Sequence, residues 1–459
     1  MPLKIYFLML CFWHCTSFAQ SQLFLPHKSK AKISFEWKSN LIIIPISIQG
    51  VELNFLVDTG VGHTLIFDNH KAQQLGFNQD HPFLLRGLGD QPALKAFQVK
   101  INRLDIANFH IENISALVLP ESEFILSKRI GTHVDGIIGR DLFVHFPVLI
   151  NYPRKYLEIN PVKLLERWKK KTVRLPLHFY KRKPYVELTI PQLNKPAING
   201  NFLIDKGLSD ALWLFSKDLD FEKAPPVFED FLGTGINGDV YGERGKIRSL
   251  VLGKTLLNEI KVAYPAVKTF DSLALEKNQL GSIGAELLSR FNVLIDYPNK
   301  QFMLKPTHKT SDPFYYNLSG IELAYEGTQI VKQRLPSVER KGSTGNDGIE
   351  ILLRDRYKLS FHPALKITYV RPNSPAEYAG LRSGDILIQI NGRKIHEMSL
   401  EKVLAILQKE PGEKIKLTVK RENHLRKFTF RLQSFFFLPK LVVQLKIEIQ
   451  GLKSAVLAC

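Results

Sequence analysis

Apolar residues along this chain fall mainly in short runs broken by Gly, Asn, Asp or Pro, and seldom at the three-to-four spacing of a helix. Leu41 to Ile48, Phe55 to Val57, Phe97 to Ile101, Ile114 to Leu119 and Val148 to Ile150 are rich in β-branched residues and read as strands. Helical patterns are few; Asp141 to Phe146 and Val162 to Lys171 are the best of them. Beyond Pro306 the pattern changes. A strand at Ile367 to Val370 leads into a capped helix signal, Ser374-Pro375-Ala376 to Ala379-Gly380-Leu381, then Gly384-Asp385, a second strand and a tight Asn391-Gly392 turn. Leu400 to Gln408 is amphipathic at helical spacing, and Ile415 to Val419 and Phe428 to Leu432 alternate as strands.

The strand-rich region contains an internal repeat. Gly136-Ile-Ile-Gly-Arg-Asp-Leu-Phe through Asn151-Tyr-Pro returns, without a gap, as Gly281-Ser-Ile-Gly-Ala-Glu-Leu-Leu through Asp296-Tyr-Pro. Upstream in each copy an apolar run ends in Asp with a glycine two residues on: Phe55-Leu-Val-Asp58-Thr59-Gly60 and Phe202-Leu-Ile-Asp205-Lys206-Gly207. Between these markers Gly87-Leu88-Gly89 corresponds to Gly233-Thr234-Gly235. Three markers in one order at nearly one spacing predict two similar β lobes facing each other across a cleft, over residues 32–162 and 163–306.

One carboxylate from each half of a repeat is what water activation by a dyad requires. Two close carboxylates cannot both ionise easily, so they share a proton and act as base and acid. The glycine of each turn allows the tight bend and a close approach of the backbone. With these residues in hand, the segment from about 32 to 306 resembles the pepsin and retropepsin-like aspartic peptidases, in the bilobal bacterial form that carries a C-terminal PDZ domain. The resemblance rests on Asp58-Thr59-Gly60, on Ile137-Ile138-Gly139 and Ser282-Ile283-Gly284, which in that family pack beside the Asp turns, and on the two Gly-rich stretches at flap-like positions. It implies Asp58 and Asp205 as the catalytic pair, supported by Thr59, Gly60, Lys206 and Gly207. It implies flaps at Gly87, Leu88 and Gly89 and at Gly233, Thr234 and Gly235, with no metal or organic cofactor.

Lys206 departs from the family pattern, where a Thr hydrogen-bonds across the lobe interface beneath the dyad. Two readings stay open: a working endopeptidase, and a peptidase-like scaffold that captures peptides with impaired hydrolysis. Other motifs are weaker. Gly233-Thr-Gly-Ile-Asn-Gly238 has the spacing of a dinucleotide fingerprint but is followed by Asp-Val-Tyr-Gly instead of a helix. The 13 His show no paired ligand spacing, and no GxSxG elbow is present.

The C-terminal pattern resembles a PDZ domain over 314–433, through Ser374-Pro375-Ala376, Ala379-Gly380-Leu381 and Gly384-Asp385. That resemblance implies a peptide groove at a sheet edge, with Leu318, Ser319, Gly320 and Ile321 as the loop that holds a peptide's C-terminal carboxylate and Ile321 to Ala324 as the edge strand. An insertion is expected at about 330–362, with an alternative domain start at Gly348-Ile349. Residues 434–459 have no structural reading. The fold class expected overall is mainly β: two acid-protease-type lobes from an internal duplication, then a PDZ α+β module.

Charge and cysteine usage change the picture only after the N-terminus is read. Lys4, the apolar run Ile5 to Trp13 and the small residues of Ser17-Phe18-Ala19 predict a signal peptide over 1–19 and therefore export, to the periplasm or cell envelope of a bacterium. Cys11 and Cys15 would leave with it, and Cys459 alone cannot form an internal disulfide. No later run is long enough to span a bilayer. With export expected, the net charge of +19 no longer suggests nucleic acid; nine Lys or Arg against one acid lie between Lys163 and Lys183, the lobe connector. The partners expected are polypeptide substrates and C-terminal peptides at the PDZ groove; the oligomeric state is left open.

Overall fold

The computed structural model describes residues 22–24 and 31–434, apart from 69, 79–81, 121–125, 160–167, 169–171, 193–194, 216–223, 267–274, 336–337, 342–349 and 354–355. The expected signal peptide, most of the connector helix, the alternative PDZ start at 348–349 and the tail beyond Ser434 lie outside the described residues. The protein is mostly β: two β lobes, then a PDZ domain.

Strand Leu41–Ile48 shows how the sequence builds a lobe. Its residues are buried on both faces except at Pro45 and Ser47. Ile42, Ile44, Ile46 and Ile48 point to the large core, while Leu41 and Ile43 join a smaller cluster with Leu56, Leu65 and Ile137. This is the two-residue period of a strand sandwiched between apolar layers. Leu41, Leu56 and Ile137 also form part of the cleft wall, so the second face of the strand is committed to the site.

In each lobe the strand that leads to the Asp turn lies parallel to the repeat's apolar-Gly strand. Val51–Val57 pairs with Gly136–Ile138, and Ile198–Ile204 pairs with Gln279–Ile283. A six-stranded sheet joins the lobes, in the order Val173–Pro176, Gln301–Pro306, Phe291–Asp296, Val148–Asn151, Tyr156–Ile159, Ala31–Ser34. At its centre the repeat pairs with its own copy: Val148 faces Ile295, Leu149 faces Leu294 and Ile150 faces Val293. Leu149 and Leu294 are equivalent residues of the repeat, so the pseudo-twofold axis passes through this pair. Trp168 and Met303 cover it in a small apolar cluster.

The PDZ sheet runs Ile321–Leu335, Arg356–Val370, Ile386–Ile390, Lys414–Arg421, His424–Arg431. Helix Leu400–Leu407 packs Leu400, Val403 and Leu407 into its core. The stretch expected as an insertion is a two-stranded ribbon: the first two strands simply continue, with Ile330 opposite Phe361 and Lys332 opposite Leu359. Ile330, Leu359 and Phe361 are exposed on it.

Candidate active site

Each candidate catalytic Asp is held by the strand pairing just described. The Asp58 N–H donates to the Ile138 C=O at 2.9 Å and the Asp205 N–H to the Ile283 C=O at 3.0 Å. Both turns need glycine across from them, because a Cβ at Gly139 would overlap the Asp58 and Val61 carbonyls and one at Gly284 would overlap the Asp210 and Leu208 carbonyls.

The two carboxylates are brought side by side. The Gly207 N–H lies 3.1 Å from Asp58 Oδ1 and 3.0 Å from Asp205 Oδ1, bridging the pair. Asp58 also accepts from the Gly60 N–H at 2.7 Å, and Asp205 from the Leu208 N–H at 3.0 Å. A side chain at Gly207 would collide with the Asp58 carboxylate. Burial pushes both pKa values up. For Asp58 the rise is opposed by the Gly60 N–H, by a hydrogen bond from Asp205 and by the Lys183 charge. Asp205 is raised well above its ordinary value by burial and by the charge on Asp58. Burial and mutual repulsion thus favour a singly protonated pair, with Asp205 the more strongly raised of the two.

Beneath the dyad the two turns differ. Thr59, buried, donates from Oγ1 to the Ile204 C=O of the opposite lobe at 2.6 Å and accepts from the Lys206 N–H at 3.1 Å. Lys206 supplies only its backbone to this bridge. Its side chain is fully buried and lies over the Tyr152 ring, with Nζ 4.6 Å from the centroid. Burial lowers its pKa to about 7. The ammonium group thus goes into the lobe interior against an aromatic face.

The flap-like residues also converge, 145–150 positions apart in sequence. The hairpin tip around Gly87, Leu88 and Gly89 interlocks with the turn between Gly235 and Gly238. Asn237, buried, makes most of the contact. Its side chain accepts from the Gly87 N–H and donates to the Pro92 C=O, its N–H donates to the Leu88 C=O at 2.9 Å, and its C=O accepts from the Gln91 N–H at 2.7 Å. Thr234 donates from Oγ1 to Asp239 at 2.7 Å within the second flap. The glycines read against a dinucleotide fingerprint thus form a β-hairpin turn. Below the tips lies a cavity of about 720 Å³ whose walls include Asp58, Asp205, Gly87, Leu88, Ile236 and Trp213.

The cavity continues to the PDZ domain, with Asn317, Glu322, Leu323, Leu404 and Gln408 among its walls. A buried chain of charges fixes the domain there. Arg371 reaches Asp230 of the second flap through Nε at 3.0 Å and Nη2 at 2.8 Å. Arg244 joins Asp230 at 2.9 Å to Asp210 at 2.9 Å, and Trp213 donates to Asp210 at 2.9 Å. Burial disfavours the Asp210 charge, but Arg244 and Lys261 outweigh it and hold its pKa below the ordinary value. Glu322, beside this chain, is pushed up to about 7 by burial and by Asp230. Of the expected PDZ loop, Leu318, Ser319 and Ile321 are buried, and Gly320 has a φ of +84° that requires glycine.

Four residues escaped the sequence reading. Lys183, a cleft-wall cation acting on both carboxylates, has no marker in its flanking residues. Asn237 and the Arg371–Asp230 pair act through partners about 140–150 residues away, a separation that carries no pattern.

Residues 44–142, containing Asp58 and Ile137-Ile138-Gly139, match the family model described as aspartyl protease, and residues 366–421 match the PDZ domain model. The chain therefore carries an aspartyl protease-like region and a C-terminal PDZ domain. Syntenin-1 of Homo sapiens is 37% identical over 68 residues, 15% of this chain and 23% of that protein, so the match spans about a quarter of the curated relative. Among solved structures, a retropepsin-like aspartic protease from Rickettsia conorii is 20% identical, covering 31% of this chain and 94% of its own, with a TM-score of 0.21. An aspartic proteinase from Irpex lacteus is 11% identical, covering 62% of this chain and 99% of its own, with a TM-score of 0.41.

Proposed function

We propose that the protein is an exported aspartic endopeptidase in which Asp58 and Asp205 activate a water against a peptide bond. The observation that carries this reading is the bridging Gly207 N–H, which donates to both half-buried carboxylates and holds them side by side. In the reaction, ionised Asp58 takes a proton from water as the water oxygen bonds to the scissile carbonyl carbon. Asp205 gives its proton to the carbonyl oxygen. Collapse of the resulting diol passes the Asp58 proton to the leaving nitrogen and returns a hydroxyl proton to Asp205, so the dyad ends as it began. Closed flaps exclude bulk water and strengthen the electrostatics inside. Export to a bacterial envelope is supported by the N-terminal pattern of Lys4, Ile5 to Trp13 and Ser17-Phe18-Ala19. Among the described residues no helix is long and apolar enough to cross a membrane.

A second reading, a peptide-capturing scaffold with impaired hydrolysis, draws on Lys206, which leaves one hydroxyl bridge beneath the dyad where the family resemblance implies two. Cleavage of an unfolded protein across about pH 3 to 7 separates the readings, since carboxylate dyads titrate in that range. Wild type is expected to cleave, with inhibition by a statine-type compound, and Asp58→Asn to lose the activity by several orders of magnitude. Equal rates for the two proteins would end the peptidase reading; binding without turnover by wild type would favour the scaffold.

A further inference from the structure

We propose that the PDZ groove takes an internal, extended stretch of the polypeptide lying in the catalytic cleft, and does not take a free C-terminus. The proposal rests on the peptidase reading for the cleft, but its argument starts from the edge strand.

The open edge of that strand is set by its pairing. The Arg371 N–H donates to the Gly320 C=O at 2.7 Å, outside the facing pair Ile321 and Val370. In an antiparallel ladder this places the Ile321 N–H and C=O on the side away from the partner strand. Two residues on, Leu323 faces Ile367, which gives its N–H to the Asp385 C=O and its C=O to the Gly384 N–H, both at 2.8 Å. The backbone groups of Leu323 therefore also turn away from the partner strand, where among the described residues no strand pairs, although helix Leu126–Ile130 of the first lobe packs against this strand with Gly131 beside Tyr325 and Leu400.

At Ile321 the place of a terminal residue is already filled. The Asn317 side chain donates to the Ile321 C=O at 2.6 Å, as the N–H of an incoming strand would. Its Oδ1 accepts from the Ser319 N–H at 3.0 Å and the Ser319 hydroxyl at 2.6 Å, as a carboxylate oxygen would. The Ile321 N–H goes to Ser319 Oγ at 3.3 Å and the Leu318 N–H to the Leu407 C=O at 3.1 Å. The loop expected to grip a carboxylate thus spends these donors inside the chain.

Leu323 is different, because with Leu404 of helix Leu400–Leu407 and Gln408 just beyond its end it walls the same cavity as Asp58 and Asp205. A chain added at Leu323 passes the filled loop and lies on the path to the dyad. Strand addition supplies affinity through backbone groups and tolerates many sequences, which fits unfolded segments. The Arg371–Asp230 pair holds the groove in that position.

The test uses the full-length Asp58→Asn variant, so that binding is read without turnover. The probe is a fluorescein-labelled peptide from the middle of an unfolded casein substrate, made as the free acid and as the C-terminal amide, and read by anisotropy. Expected are Kd values within about twofold of each other and a roughly tenfold loss for both in Leu404→Lys. Asn317→Ala should open the loop and favour the free acid at least threefold. The proposal is overturned if the amide binds ten times more weakly than the acid, if Leu404→Lys changes nothing, if Asn317→Ala creates no preference, or if neither peptide binds. Failure of the peptidase reading shows separately, as absent cleavage of casein by wild type.

Discussion

A single buried lysine distinguishes the two Asp turns of this molecule. Lys206 has an ordinary pKa of 10.5 and a folded value of about 7, lowered by burial. Between these values the unfolded chain binds more protons than the folded one, so stability falls as pH drops from above 10 to about 7, and the penalty is complete below that. Replacing the ammonium with a neutral chain of similar length, Lys206→Met, should stabilise the protein by on the order of 3 kcal/mol at pH 6, less at pH 9 and little near pH 11. Denaturant unfolding at these pH values checks it; a gain that does not vary with pH would mean the lysine is not the cause. Lys206 and the two Asp residues were legible because the duplication sets each copy against the other. The direction of the lysine side chain was not, since no local pattern tells that Tyr152 lies beneath it.

Among elements, the flaps join through one side chain. Asn237 spends both its amide groups on the opposite hairpin, and each net hydrogen bond is worth about 1 kcal/mol. Asn237→Ala should therefore speed amide hydrogen exchange at Gly87 roughly tenfold or more while leaving exchange at Ile44 in the core unchanged. Equal protection at Gly87 in both proteins would show that the backbone bonds of Leu88 and Gln91 suffice. The positions of the flaps could be read from paired glycines, but their mutual lock could not, because it joins the two copies across the cleft instead of repeating within each. The ribbon beyond Ile330 was hidden for another reason. With Ile330, Leu359 and Phe361 exposed, it lacks the one-sided alternation by which a half-buried strand is recognised.

For the whole molecule, the chain Asp210–Arg244–Asp230–Arg371 connects the second Asp turn, the second flap and the PDZ domain. Removing one member of a buried pair strands the other, at about 3–5 kcal/mol. Arg371→Met is expected to free the PDZ domain from the lobes and split one thermal unfolding transition into two; a single transition at the original Tm would place the docking energy elsewhere. The six-stranded sheet has a consequence in time. Val148–Asn151, apolar from Val148 to Ile150, pairs on one side with Phe291–Asp296, which the ribosome makes about 140 residues later. Until then the nascent first half carries a sticky, half-finished edge at its centre. Whatever accompanies the newborn chain must shield that edge, and two chains made close together are at risk of trading halves there.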